Sequence, residues 1–337
     1  MGVSIADVAA RAGVSRTTVS HTISGKRVVG AQVRRRVEEA MHELGYVPSR
    51  SAQSLALGRT QIIGLLVPDI TNGFFAELAK GVEATAIDCG YNVILGNTGF
   101  DRARELLYLE MIRSRAVDGV LYAAGAAVES SEIARVLQDV PLVLVDEELD
   151  DSAAYAVVSD NIDGGRQAAE HLFELGHRRA LCLGVSPDLL SSARRLDGFA
   201  DSWRQMGGER LETGVASFTI EGGFAGVEPY VPLLESGDLT AVFAANDLMA
   251  VGVIRRLRDA GIRVPDQVSV VGFDDSPVAQ YIDPGLTTVR QDVRELGSRA
   301  TTVLIEALDA QQPPGRAREV RPVELVKRGT TARAVRR

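Results

Sequence analysis

Arg16, Thr17, Ser20 and His21 recur at the spacing of one helical face, and they form a set able to read the edges of base pairs. Arginine can donate two bonds to guanine O6 and N7. Threonine can bond a base or touch a thymine methyl, and histidine can donate or accept. A small helical module with no ligand would also tolerate these residues. A second set lies further along the chain. Asp69, Asn97, Asp146, Asn246 and Asp274 each end an apolar run. Carboxylates and amides there suit a ligand rich in hydroxyls, but each could equally cap the helix that follows. Asp247, directly before a helix, is assigned to capping. GxxxxGK[ST], GxGxxG and GxSxG are missing, so neither phosphate-loop nor nucleophile-elbow chemistry is expected. The four histidines, His21, His42, His171 and His177, have no metal-ligand spacing to cysteines or acids. Neither an enzyme nor a bound cofactor is expected.

The elements that must carry the first set can be read from caps and periodicity. Ser4 with Asp7 suits an N-cap and its N3 acid, and Ile5, Val8, Ala9 and Ala12 share a face. Gly13 suits a left-handed stop. Ser15 then caps a second helix, Arg16 to about Ser24, with Val19 and Ile23 facing inward. Two short helices about a glycine turn make a helix-turn-helix. A third helix follows, with Val33, Val37, Ala40, Met41 and Leu44 as its stripe and Gly45 as its stop. Arg34, Arg35 and Arg36 at its start suit phosphates, which position without specifying. Residues 1–59 hold nine Lys/Arg and four acids, a net of +5 in a chain whose total is −8. A basic head on an acidic body is the asymmetry expected when one end meets nucleic acid.

From Gln61 onward, apolar strands alternate with amphipathic helices, including 73–88, 102–114, 162–175, 193–206 and 248–260. That alternation implies parallel sheets covered on both faces, and nine or so strands suit two lobes. Ligands of such sheets bind beyond the C-terminal strand ends. Between head and body, residues 48–59 begin with a helix-disfavouring proline and could form only a short helix, unstable alone. No apolar run is long enough for a membrane helix, and the N-terminus lacks the pattern of a signal peptide. Cys89 and Cys182 read as separate thiols. These features favour a cytoplasmic, nucleoid-associated protein with no membrane partner.

SIADVAARAGVSRTTVSHTISGKRVV, and the stretch running through VPSRSAQSLALGRTQIIGLLVPDI, resemble the head, hinge and first sensor strand of the lactose-repressor/galactose-repressor family. The resemblance continues through HLFELGHRR, RRLDGF, AVFAAND, VSVVGFDD and LTTVRQD. It implies an all-α helix-turn-helix head on a periplasmic-binding-protein-like α/β body of two Rossmann-like lobes. The expected divisions are 1–47 for the head, 48–60 for the hinge and 61–330 for the effector and dimerisation body, with a tail at 331–337. Within the body the first lobe takes about 61–159 and 290–318, and the second about 160–289 and 319–330. The passages between lobes therefore fall near Ser159, Val289 and Glu319.

The family pattern implies a homodimer on a pseudo-palindromic double-stranded DNA operator. It places Ala52, Gln53 and Leu55 in a hinge helix that enters the minor groove, with Leu55 as the wedge. It also places Arg195, Phe74, Phe75 and Phe218 in the effector cleft, beside Asp69, Asn97, Asn246 and Asp274. His21 departs from the arginine common in the family, and Gly30 from a capping serine. The expected function is a transcription regulator, a repressor, answering to a sugar or sugar derivative. A nucleobase ligand is the alternative. A solute-binding protein would share the body but would have no use for the basic head.

Overall fold

The computed structural model describes residues 3–24, 27–46, 58–123, 125, 130–137, 140–149, 154–185 and 189–334. Three helices form the head: α1 (Ile5–Ala12), α2 (Arg16–Ser24) and α3 (Ala31–Leu44). Ser4 and Asp7 close a reciprocal capping box, in which the Ser4 N–H donates to Asp7 Oδ2 at 2.8 Å. Those hydrogen bonds hold the Asp7 carboxyl below its ordinary value. Gly13 and Gly45 adopt the left-handed conformation that stops α1 and α3. Ser15 Oγ accepts from the Thr18 N–H at 3.0 Å, whereas Gly30 gives α3 no side-chain cap. Val8, Ala9, Ala12, Val19, Val37 and Ala40 are the buried centre of the module.

The first lobe begins with β1 (Ile62–Val67), α4 (Gly73–Asp88), β2 (Asn92–Asn97) and α5 (Arg102–Met111). It continues through β3 (Gly119–Tyr122), α6 (Ser130–Leu137), β4 (Leu142–Val145) and β5 (Tyr155–Ser159). The helix expected over 102–114 is α-helical only to Met111, and a π-helical turn, Ile112–Ala116, completes it. The chain then enters the second lobe. Its elements are α7 (Asn161–Glu174), β6 (Arg179–Gly184), α8 (Leu190–Gln205), β7 (Arg210–Val215), α9 (Ile220–Val227) and α10 (Val231–Ser236). They are followed by β8 (Ala241–Ala244), α11 (Asp247–Asp259), β9 (Ser269–Asp274), α12 (Pro277–Tyr281) and β10 (Thr287–Gln291). Finally α13 (Val293–Ala310) and β11 (Arg318–Arg321) return to the first lobe, and β12 (Val323–Val326) to the second.

The two sheets have the orders β11-β5-β4-β3-β1-β2 and β12-β10-β9-β8-β6-β7. Every pairing is parallel except β10 with β12. Each sheet has an apolar cluster on both faces, which is why its central strands read as unbroken apolar runs. The strand bounds place the three passages between lobes at residues 160, 292 and 322. The second and third lie a few residues beyond Val289 and Glu319, because β10 and β11 continue through polar residues. The last described stretch also belongs to the body. Thr330 Oγ1 donates to the Val270 carbonyl at 2.7 Å, and the Ala332 N–H donates to Ser269 Oγ at 3.0 Å. Residues 331–334 are therefore packed on the second lobe, where the sequence suggested a tail. His171 and His177 sit against this stretch, 3.0 Å from Thr331 Oγ1 and 3.1 Å from the Ala332 carbonyl. Burial lowers both to about 4, so they are neutral at pH 7.

Three helix pairs touch backbone to backbone through reciprocal glycines. A Cβ on Gly165 of α7 would strike the Arg195 carbonyl on α8, and one on Gly198 would strike the Ile162 carbonyl in return. Gly223 and Gly252 do the same for α9 and α11, and Gly81 and Gly297 for α4 and α13. A carbonyl inside a helix cannot turn aside cheaply. Gly198→Ala should therefore destabilise the protein by roughly 1–3 kcal/mol, the usual cost of overpacking. Urea unfolding of the two proteins measures this, and an unchanged midpoint would show that the two helices can separate freely.

Candidate operator interface and effector cleft

In the head, Val19 is fully buried while Arg16 and Thr17 of the same helix are exposed, with Ser20 and His21 half-buried. The four residues singled out in the sequence therefore share the outward side of α2. His21 Nδ1 is buried with no hydrogen-bond partner among the described residues. Arg34 and Arg36 are exposed on α3, and Arg35 is turned to Glu39 at 3.0 Å. Ala52, Gln53 and Leu55 lie outside the described residues.

The second arrangement is a cleft between the lobes, at the C-terminal ends of both sheets. The first lobe contributes Asn72, Phe74, Phe75, Phe100, Asp146 and Glu147. Asn72 caps α4 by accepting from the Phe74 N–H at 3.1 Å. The first turn of that helix then presents Phe74 and Phe75 edge to face, 5.0 Å apart. The second lobe contributes Ser191 and Arg195 from α8, Phe218, Asn246 and Asp274. Phe100, Asp146 and Asp274 all have positive φ (56°, 68° and 111°), a conformation costly for residues with side chains. Such strain persists only where the surroundings hold it, and here it rims the cleft.

Arg195 is 3% exposed. Its Nε donates to Asn161 Oδ1 at 2.8 Å and its Nη1 to the Ala245 carbonyl at 2.7 Å. Nη1 also lies 3.5 Å from Asp274 Oδ1, and the guanidinium carbon is 3.9 Å from the centre of the Phe273 ring. Asp274 Oδ1 accepts from Gln291 Nε2 at 2.7 Å. Burial pushes the Asp274 carboxyl up against the opposing pull of Arg195. Burial likewise raises Asp146 to about 7, with Arg195 opposing and Asp274 adding. Glu147 is raised to about 7 by burial and then by Asp146, against its bonds from Ser191. Those bonds, 2.8 Å from the Ser191 N–H and 2.6 Å from its hydroxyl, tie the first lobe to the second across the cleft. Glu148 beside it pairs with Arg194 of the second lobe and Arg318 of the first.

Of the cleft residues anticipated from sequence, Phe74, Phe75, Asp146, Arg195, Phe218, Asn246 and Asp274 come together here. Asp69 and Asn97 do not line the space. Asp69 accepts from the Thr71 N–H at 2.9 Å, and Asn97 from the Ile70 N–H at 2.9 Å. They shape the turn that delivers Asn72. Asn246 is both lining and cap, since its Oδ1 accepts from the Met249 N–H at 2.9 Å. Asp247 is therefore not the cap. It is fully buried and accepts from the Ser276 N–H at 2.7 Å, the Ser276 hydroxyl at 3.0 Å and the Thr288 hydroxyl at 2.5 Å. That pins the turn after Asp274. Asn72, Phe100, Glu147 and Ser191 were not anticipated. Only Glu147 carried a signal, an acid next to Asp146 at a strand end.

Two family models match the chain. One describes bacterial regulatory proteins of the lacI family and covers residues 4–49; the other describes a periplasmic binding protein-like domain and covers 169–331. The HTH-type transcriptional repressor PurR of Vibrio atlanticus is 36% identical over 333 residues, spanning 97% of this chain and 98% of that protein. The chain belongs to the lacI family. The family's regulator DegA of Bacillus subtilis is 34% identical, over 88% of this chain and 89% of its own length. Among solved structures, the lac repressor dimer bound to operator and the anti-inducer ONPF matches with a TM-score of 0.84. The identity is 28%, over 98% of this chain and 100% of that one. The transcriptional regulator CelR in complex with cellobiose matches at 0.72 with 30% identity, over 97% and 99%. The lacI-family fold thus spans both the outward face of α2 and the interlobe cleft.

Asp247→Ala would strand three buried donors in the turn that carries Asp274. It should cost roughly 3 kcal/mol or more, whereas Asn246→Ala, which removes a cap, should cost about 1 kcal/mol. Equal losses in urea unfolding would return Asp247 to a capping role.

Proposed function

We propose that this protein is a transcriptional repressor that binds a pseudo-palindromic operator as a homodimer and alters its grip when a small polar molecule enters the interlobe cleft. The observation that carries this reading is the joining, in one chain, of an outward base-reading face to a cleft built from both lobes. A ligand touching Asn72 and Glu147 on one side and Arg195 and Asp274 on the other favours one lobe spacing over others, and its effect on DNA affinity must be reciprocal. Side chains that accept and donate hydrogen bonds suit a sugar or sugar derivative, and the similar CelR structure holds cellobiose. A nucleobase is the second reading, favoured by the four phenylalanine rings at the cleft.

The dimer surface is assigned to the edge of the first lobe. There β2 pairs only with β1 among the described residues and exposes Ile94 and Leu95, and Leu107 of α5 is also exposed. Exposed apolar groups on an open sheet edge call for a partner, and two heads about a two-fold axis match two half-sites. In the hinge, Leu55 takes the role of wedge in the minor groove, by analogy with the family.

Selection of bound sequences from a random DNA pool should yield a two-fold symmetric motif. Arg16→Ala should relax one base pair in each half-site at a cost of about 1–3 kcal/mol. Arg195→Ala should keep the motif while losing modulation by any molecule that modulates the wild type. A motif without symmetry, or ligand response intact in Arg195→Ala, would remove the reading. Separately, Ile94→Asp combined with Leu107→Asp should sediment as monomer at micromolar concentration. A dimer surviving both changes would move the interface elsewhere.

A further inference from the structure

We infer that the molecule taken by the cleft carries a protonated amine beside its hydroxyls, and so is an amino sugar rather than a neutral sugar, a sugar phosphate or a flat base. This rests on the reading of the cleft as the effector site.

The charge of the lining is unbalanced. Three carboxylates, Asp146, Glu147 and Asp274, face the space, and Arg195 is the one basic side chain among its described lining residues. Nor is Arg195 available as a general counter-charge. Its Nε and Nη1 are directed at Asn161, the Ala245 carbonyl and Asp274, and one face of its guanidinium covers Phe273.

The unmet hydrogen-bonding capacity has the same sense. Asp146 Oδ1 is buried with no partner among the described residues. Gln291 Oε1 is also unpartnered, on a side chain 4% exposed that lines an adjoining space sharing Phe74 and Asp274 with the first. Both atoms are acceptors. Buried acceptors and carboxylates are costly until a donor or a cation reaches them. Phe74, Phe75, Phe100 and Phe218 complete the wall, and the negative face of an aromatic ring attracts an ammonium as well as an apolar sugar face. A phosphate would meet three carboxylates. A neutral hexose would satisfy acceptors but leave the charge unmatched.

An ammonium beside these carboxylates would also keep them ionised. Burial raises Asp146 and Glu147 to about 7. The charged groups around Glu147 are Asp146, Asp274, Glu148, Arg194 and Arg195, and Arg194 is paired with Glu148. A bound cation lowers the carboxylate values, so binding expels protons. Affinity for an amine therefore rises from pH 6 to pH 7.5.

The test is calorimetry on the full-length protein with D-glucosamine, D-galactosamine and D-mannosamine, their parent hexoses, the hexose 6-phosphates and hypoxanthine. At least one amine should bind about tenfold or more tightly than its parent hexose at pH 7.5, and that preference should shrink at pH 6. Glu147→Gln and Asp146→Asn, two independent variants, should each narrow the ratio. A hexose, phosphate or hypoxanthine that binds as tightly as every amine overturns the inference, as does binding by no amine. If such a competitor is lost in Arg195→Ala and Asp274→Asn, the cleft remains the effector site and only the amine is wrong. If an amine binds equally well to both of those variants, the assignment of the cleft fails as well.

Discussion

Arg195 carries a charge where only 3% of the residue meets solvent, and a charge so deep must be matched from several directions. Its matches come from four places in the second lobe: Asn161 at the start of α7, the carbonyl beyond β8, Asp274 at the end of β9 and the Phe273 ring. Each of these must be brought within about 4 Å at once. The backbone that holds Arg195 is itself fixed by the glycine contact of α7 with α8, in which the Arg195 carbonyl occupies the place of a missing Cβ on Gly165. The layer of helices, the order of the strands and the strained turn at Asp274 thus converge on one side chain. The second lobe is built so that this guanidinium is held before any ligand arrives, which reduces the ordering a ligand must impose.

The other wall of the cleft is less committed. Glu147 reaches Ser191 across the gap, and Glu148 reaches Arg194. These contacts join the two lobes across the cleft. A molecule entering between Asp146 and Asp274 competes for the same carboxylates and the same helix start. Lobe spacing and occupancy are therefore coupled by direct competition for hydrogen bonds rather than through a remote path.

Much of this was legible in the sequence where local rules decide. The capping box of Ser4 and Asp7 and the stops at Gly13 and Gly45 depend on a few adjacent residues, as does the start of α4 at Gly73. The sequence was less informative where a distant partner decides. Arg290 and Gln291 continue β10, and Arg318 to Arg321 form β11, because neighbouring strands offer ladder hydrogen bonds. Val320 is the one apolar residue among them, too little to mark a strand. Asn246 and Asp247 are both good caps in isolation. Which one caps and which one holds Ser276 and Thr288 is settled by residues 29 and 41 positions away. Asp69 and Asn97 brace their own turn for a related reason, since a polar strand end can equally face inward. Glu147 faces the cleft only because α8 of the other lobe presents Ser191 to it.

The path from cleft to hinge follows from one element. α13 begins immediately after the passage at Asp292, next to Gln291, and runs for 18 residues, about 27 Å at the rise of a helix. Near its far end Asp309 accepts from Arg59 Nη1 at 2.8 Å, and the Leu308 carbonyl accepts from Arg59 Nη2 at 2.6 Å. Arg59 is the last basic residue of the linker segment. The next two residues are clamped as well, since the Thr60 and Gln61 N–H groups donate to the two oxygens of Asp118 at 2.7 and 2.8 Å. The base of the linker is therefore fixed to the first lobe and to α13 rather than hanging from it. α13 is locked in turn against α4, the helix that carries Phe74 and Phe75, through Gly81 and Gly297. A change of lobe angle at Asp292 would act on one end of this helix while Arg59 is bound at the other. In a dimer, any displacement carried to the two Arg59 residues would change the distance between the points from which the heads are suspended.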